Sequence, residues 1–124
     1  MRNLGLTLME NRFDVEFLQE VIDFLESIDE KARDKIIFNI HKVRKSNDPK
    51  LFKKLKEEIW EFRTLYNRKQ YRLFAFWDKT KDIRTLVIAT YGIIKKTQKT
   101  PEKEISKAIE IMKKYFKDLQ NKKP

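Results

Sequence analysis

Three runs of alternating residues in the middle of the chain constrain its fold most. Ile59 to Tyr66 and Tyr71 to Asp78 are aromatic-rich with period two, and Ile83 to Tyr91 is rich in β-branched residues. Polar turns at Asn67 to Gln70 and Lys79 to Asp82 separate them. Alternation puts successive side chains on opposite faces of a sheet, and turns this short join antiparallel neighbours. The segment is therefore predicted to be a three-stranded antiparallel meander.

Helical periodicity flanks it. Val15, Leu18, Ile22, Leu25 and Ile28 recur at helical spacing, which predicts a helix over 14–28. A second helix is predicted at about 30–46, with Ala32, Ile36, Ile40 and Val43 on one face. Ser27 and Glu30 stand at capping-box spacing between the two. Asn47, Asp48 and Pro49 stop the second helix. A last helix is expected from about 101 to 119. Thr100 is its expected N-cap, Pro101 its first residue and Glu102 a complement to its dipole. Its stripe is Ile105, Ala108, Ile109, Met112, Phe116 and Leu119. Leu4, Leu6 and Leu8 alternate and suggest a short edge strand. The expected fold is α+β: an N-terminal helix hairpin packed on a small antiparallel meander, then a C-terminal helix. At 124 residues it is expected to form a single domain, 1–124, able to bury a core without disulfides or a structural metal.

Register then places charge. With Asn67 opposite Gln70, Trp60 faces Trp77, Phe62 faces Ala75 and Thr64 faces Leu73, an apolar face suited to packing on helices. The other face carries Glu61, Arg63 and Leu65 against Phe76, Phe74 and Arg72. Arg63 and Arg72 become diagonal neighbours, about 7–8 Å apart at the backbone. With Asp78 opposite Ile83, Val87, Ala89 and Tyr91 join the arginine face, and Leu86 and Ile88 join the core face. The lysine-rich stretch Lys95-Lys96-Thr97-Gln98-Lys99 leaves the third strand nearby. The expected cluster is Arg63, Arg72, Tyr91, Lys95 and Lys96. Cations interleaved with an aromatic suit phosphate contact and base stacking.

Each residue also has an ordinary reading. Either arginine alone fits a solvated sheet face, paired with Glu61 or Asp78. Tyr91 fits half-buried packing, and Trp60 and Trp77 fit core anchors. Lys95, Lys96 and Lys99 fit a solvated turn, and His41 a structural or exposed position. Lys53, Lys54 and Lys56 fit a basic rim equally well as a solvated one.

Composition removes most other chemistries. The chain has no cysteine, one histidine and two glycines. Thiolate metal sites, multi-histidine sites, Cys/His nucleophile pairs and Gly-rich phosphate loops are thereby excluded. No metal and no cofactor is expected. A net charge of +10 suits a polyanion, nucleic acid first and an acidic protein second. No apolar run is long enough to span a membrane and Met1 to Arg12 lacks a signal-peptide pattern, so a cytoplasmic location is expected.

Three stretches carry a resemblance. Ile59-Trp60-Glu61-Phe62-Arg63, Tyr71-Arg72-Leu73, and Gly92-Ile93-Ile94-Lys95-Lys96-Thr97-Gln98-Lys99-Thr100-Pro101 resemble, as a set, the RelE/ParE toxin superfamily, and within it the HigB-like, phage-derived branch. The likeness covers about residues 13–119. It implies a bacterial type II toxin that cuts mRNA on the ribosome without a metal, with a cognate antitoxin as partner. Carried across, Arg72 matches the arginine of the YR motif, Arg63 that of the WELR-type motif, and Lys95 or Lys96 the basic residue after the last strand. Tyr91 falls where some relatives have histidine. Two positions depart from RelE: Glu61 stands for a lysine and Ile105 near a catalytic tyrosine.

Metal-free RNA cleavage needs cations for the developing charge, a base for the 2′-hydroxyl and an acid for the leaving oxygen. Arg72 and Arg63 suit the first role, because guanidinium forks match phosphate oxygens. Lys95 or Lys96 adds charge or serves as acid. Tyr91, Glu61 and a lysine of lowered pKa are the candidate bases. Lys54, Lys56 and Lys99 are expected to add RNA-binding charge. Arg72→Ala is expected to abolish toxicity in a folded protein. Two other functions share the scaffold or the charge: a ParE-like inhibitor of DNA gyrase, and a non-catalytic basic binding domain.

Overall fold

In a computed structural model, residues 12–94 and 100–122 are described. The elements run β1 (Asp14–Phe17), α1 (Gln19–Ser27), α2 (Glu30–Lys45), β2 (Phe52–Lys54), β3 (Trp60–Tyr66), β4 (Lys69–Asp78), β5 (Thr85–Ile94) and α3 (Glu102–Asn121). The five strands form one mixed sheet in the order β1-β5-β4-β3-β2.

This order corrects the expected N-terminal helix hairpin. Residues 14–17 are a strand, not the first turn of a helix, and β1 pairs in parallel with β5 through Asp14–Thr85 to Phe17–Ile88. The helical spacing of Val15 and Leu18 competes with the alternation of Phe13, Val15 and Phe17, and tertiary pairing decides for the latter. The Leu18 amide extends the ladder to the Ile88 carbonyl at 3.0 Å before α1 begins. Arg44 ties this entry to the end of α2, its Nε donating to the Phe13 carbonyl at 2.9 Å. The remaining helices and strands lie where periodicity put them, within a few residues. The exception is β2, a three-residue edge strand too short to show alternation. Leu4, Leu6 and Leu8 lie outside the described residues.

The capping box between α1 and α2 does not form. Asp29 caps α2, accepting from the Ala32 amide at 3.3 Å, while Ser27 turns back to the Phe24 carbonyl.

Both faces of the sheet are covered. Val21, Phe24 and Leu25 of α1 and Ala32, Ile36, Ile40 and Val43 of α2 bury Phe62, Leu73, Ala75, Leu86 and Ile88. On the opposite face α3 lays Ala108, with Ile109, Met112, Tyr115 and Phe116, over Ile59, Phe74, Phe76, Val87 and Ala89. The face that carries the arginines is therefore an interior, not an open surface. Its phenylalanines are the sequence sign of that: two large aromatics on one sheet face seek a cover.

Register differs from expectation by two residues at each turn. Tyr66 pairs with Lys69, so Asn67 and Arg68 form the two-residue loop, both at positive φ (52° and 65°), as a type I′ turn requires. Asn tolerates that region, which draws the loop to begin at Asn67. Arg63 then stands directly opposite Arg72 rather than diagonal to it. Facing parity is unchanged. In β5, Asp78 pairs with Thr85 and not Ile83. An extra residue at Ala89 then shifts the register between Phe74–Thr90 and Ala75–Ile88. Beyond that bulge the faces exchange, and Tyr91 comes opposite Leu73.

Asp78 fastens α3 to the sheet. Its side chain is buried and accepts from the Thr80 amide at 2.9 Å and the Tyr115 hydroxyl at 2.6 Å. Burial pushes the carboxyl pKa up, but the hydrogen bonds from Thr80 and Tyr115 prevail and hold it below the usual value. Burial and the bond to Asp78 raise the Tyr115 phenol well above its ordinary range.

Two outcomes follow for stability. Arg68→Gly removes an L-residue penalty at positive φ and is expected to raise unfolding free energy by about 0.5–1 kcal/mol in urea titration. Tyr115→Phe is expected to cost about 1–2 kcal/mol at neutral pH. Because the Asp78 pKa is depressed on folding, its contribution is present above the unfolded carboxylate pKa and fades as pH falls through the folded one. The gap between wild type and Tyr115→Phe is therefore expected to narrow in acid.

Candidate functional site

Adjacent antiparallel strands put Glu61, Arg63 and Arg72 on the α3 face. Glu61 is the hub. It is fully buried, and so is Arg72, 1% exposed. Arg63 Nε donates to Glu61 Oε1 at 2.7 Å, and Arg72 Nη1 donates to Glu61 Oε2 at 3.4 Å. The Thr100 hydroxyl closes the group: it donates to Glu61 Oε2 and accepts from Arg72 Nη1. Thr100 is thus not the N-cap of α3. Pro101 takes that position without a side-chain bond, and the threonine hydroxyl is spent on the ion pair. Burial lowers the Arg72 guanidinium pKa, Glu61 opposes that, and Arg63 adds to it.

Arg63 is the part of this group that reaches outward. It borders a pocket of about 280 Å³ formed with Lys53, Lys56, Thr100 and Glu102 over an apolar floor of Leu55 and Ile105. Lys53 comes from β2, opposite Glu61 in the ladder. Lys56 comes from the β2–β3 turn, where Glu57 and Glu58 both take positive φ and the Ile59 amide bonds the Lys56 carbonyl at 2.9 Å. Its ammonium sits 2.6 Å from Glu102, which starts α3, and that hydrogen bond raises the lysine pKa. Lys56 is therefore a cation at neutral pH, not the depressed lysine a general base would need.

Of the residues expected at the site, the fold brings Arg63, Arg72 and Lys56 together. Arg72 supports rather than lines the pocket, since its guanidinium is enclosed by Glu61 and Thr100. Tyr91 does not join them: the bulge turns it to the other face, where it stacks on Phe24 at 4.0 Å. Lys54 shares the Phe52 side of β2 and pairs with Glu58 at 3.3 Å, so it too faces away. Glu61 is enclosed and cannot serve as a base for a bound molecule. Lys95, Lys96 and Lys99 lie outside the described residues. Two pocket residues carried no such role in the sequence: Glu102, read there as a dipole complement, and Thr100, read as a cap. Among the described residues no cluster of three or more acidic, histidine or cysteine side chains is placed to hold a metal. No helix among them is long and apolar enough to cross a membrane.

Comparison with known proteins yields one family. The model for phage-derived protein Gp49-like matches residues 23–113, from α1 through most of α3. No curated protein and no solved structure matches.

The buried hub sets a stability order. Glu61→Gln leaves two guanidinium groups without their carboxylate and is expected to cost about 3 kcal/mol or more. Thr100→Val removes one hydroxyl and is expected to cost about 1–2 kcal/mol. Urea midpoints of the two variants, at unchanged slope, check the order; equal losses would contradict it.

Proposed function

The chain belongs to the phage-derived Gp49-like family, part of the RelE/HigB-like toxin group, and on that premise we propose that it is the toxin of a type II toxin–antitoxin system. In this reading it is an endoribonuclease that cuts mRNA on the ribosome, and a cognate antitoxin is its partner. The observation that supports it most is the pocket in which Arg63, Lys53 and Lys56 converge, with Arg63 fixed from behind by a buried carboxylate. Three cations over an apolar floor suit a phosphodiester with its base laid beside it. A fixed guanidinium loses little freedom on meeting a phosphate, so its charge is available to the transition state at low cost.

Glu102 is the carboxylate that reaches this pocket, and it takes the general-base role that Glu61 and Tyr91 are not placed for. It receives the 2′-hydroxyl proton as that oxygen bonds to phosphorus. The bond from phosphorus to the 5′ oxygen breaks, and that oxygen takes a proton from Lys56. The products are a 2′,3′-cyclic phosphate and a 5′-hydroxyl end. Arg63 carries the charge on the phosphate oxygens, and Arg72 holds Glu61, and through it Arg63, in place. Lys95, Lys96 and Lys99 enter the proposal through their sequence alone, as further contacts to RNA.

The buried state of Arg72 changes the best test. Arg72→Ala breaks an enclosed ion pair and is expected to cost about 3–5 kcal/mol, so lost toxicity would report lost folding. Arg63 is partly exposed and discriminates better. Purified wild type is expected to create new 5′ ends in a defined mRNA only with translating ribosomes. Folded Arg63→Ala is expected to cut about 100-fold more slowly or worse. Full cleavage by Arg63→Ala would remove that residue from the reaction. No cleavage by folded wild type, with or without ribosomes, would reject the nuclease and turn attention to gyrase supercoiling.

A further inference from the structure

A second pocket lies against the other side of β2. Trp60 and Trp77 meet there edge to face, 6.3 Å apart at 80°. Phe52 stacks on Trp60 at 4.8 Å, and Phe13 stands edge-on to Trp77 at 5.1 Å. The space between these rings is about 150 Å³. That is well below the 300 Å³ or so at which drug-sized pockets begin, and suits one flat ring system. Arg12, Asn47 and Arg84 complete the lining. Arg84 is exposed, with its guanidinium 4.1 Å over the Trp77 ring. Arg12 is anchored to the end of α2, its Nη2 donating to the Val43 carbonyl.

We propose that this pocket binds a single nucleotide, with the base among the aromatic rings and the phosphate on Arg84. The chemistry of the lining selects that class. Two guanidinium groups and no carboxylate disfavour a cationic ligand and favour an anion. Aromatic walls contribute nothing to a bare anion but stack on the π-face of any base. The Asn47 carboxamide supplies a donor and an acceptor for a base edge. A planar ring joined to a phosphate uses all three features at once. An acidic peptide would use only the arginines.

β2 separates this pocket from the cationic one. Lys53 contributes to the first and Phe52, its neighbour, to the second. The two sites therefore flank one edge strand, and a single strand of RNA crossing that edge would meet both. Nucleotide binding is read without any cleavage, so failure of this site and failure of the proposed nuclease are separate results.

The protein carries its own reporter, because its two tryptophans both line this pocket. Adenosine 5′-monophosphate is expected to quench the intrinsic indole fluorescence saturably, and ribose 5-phosphate to leave it unchanged. Arg84→Ala removes an exposed side chain and is expected to keep the far-ultraviolet dichroism of wild type while weakening the nucleotide about tenfold. Lys113→Ala, an exposed change on α3 outside both pockets, is expected to bind it as wild type does. Absence of saturable quenching would overturn the proposal. So would an equal response in Arg84→Ala, or equal quenching by ribose 5-phosphate, which would mark a simple anion site. Quenching by hexaglutamate but not by the nucleotide would assign the pocket to an acidic protein instead.

Discussion

One carboxylate organises this protein. Glu61 sits in the middle of a sheet, out of contact with water, and holds a guanidinium on each oxygen. Such a group is costly to bury, and the cost is offset when both its oxygens are hydrogen-bonded. Arg63 meets one oxygen, and Arg72 and the Thr100 hydroxyl meet the other. The consequence reaches in two directions. Thr100 fixes the point where the chain enters α3, so the helix that roofs this face starts from a charged anchor. Arg63 is pulled against the sheet and loses the freedom of an ordinary surface arginine. Core and pocket are thus joined through a single side chain.

The sequence showed much of this architecture, and its failures have physical causes. The two arginines were legible as neighbours because pairing errors of two positions keep each side chain on its face. The real turn at Asn67-Arg68 therefore altered the distance between them and not their company. Tyr91 was misplaced because one extra residue, Ala89, exchanges the faces beyond it, and nothing in the local pattern announces a bulge. β1 was missed because Val15 and Leu18 fit a helical stripe as well as a strand. Only the long-range pairing with Thr85–Ile88 separates the two. β2 is three residues long and carries no period. The covered state of the arginine face was readable in Phe74 and Phe76, which outweigh the charges beside them.

The site itself was legible in its charge and not in its depth. Composition pointed to a polyanion, and register set Arg63 and Arg72 side by side, as they stand in the sheet. Burial could not be seen from spacing, and it is burial that divides their roles: Arg63 meets the pocket, while Arg72 stands behind it. Lys54 and Lys56, two positions apart and alike in sequence, are divided by the strand and the turn. One joins the pocket and the other faces away. Glu102 lies in the first turn of α3, as read, and also pairs with Lys56, a contact that helix-terminus logic does not reveal.

The parallel pairing of β1 with β5 bears on how the molecule comes into being. Strands β2 to β5 are chain neighbours and can zip together as they emerge. Asp14 to Phe17 have no partner until Thr85 to Ile88 have been made. Closing so long a loop is a late and slow event relative to hairpin formation. The half-made chain therefore holds its first strand unsatisfied, and α1 and α2 with no complete sheet to rest on. Translation must run past Ile105 before the pocket has its apolar floor. This chain is thereby expected to assemble from strands β2 to β5 outward, with β1 seated last.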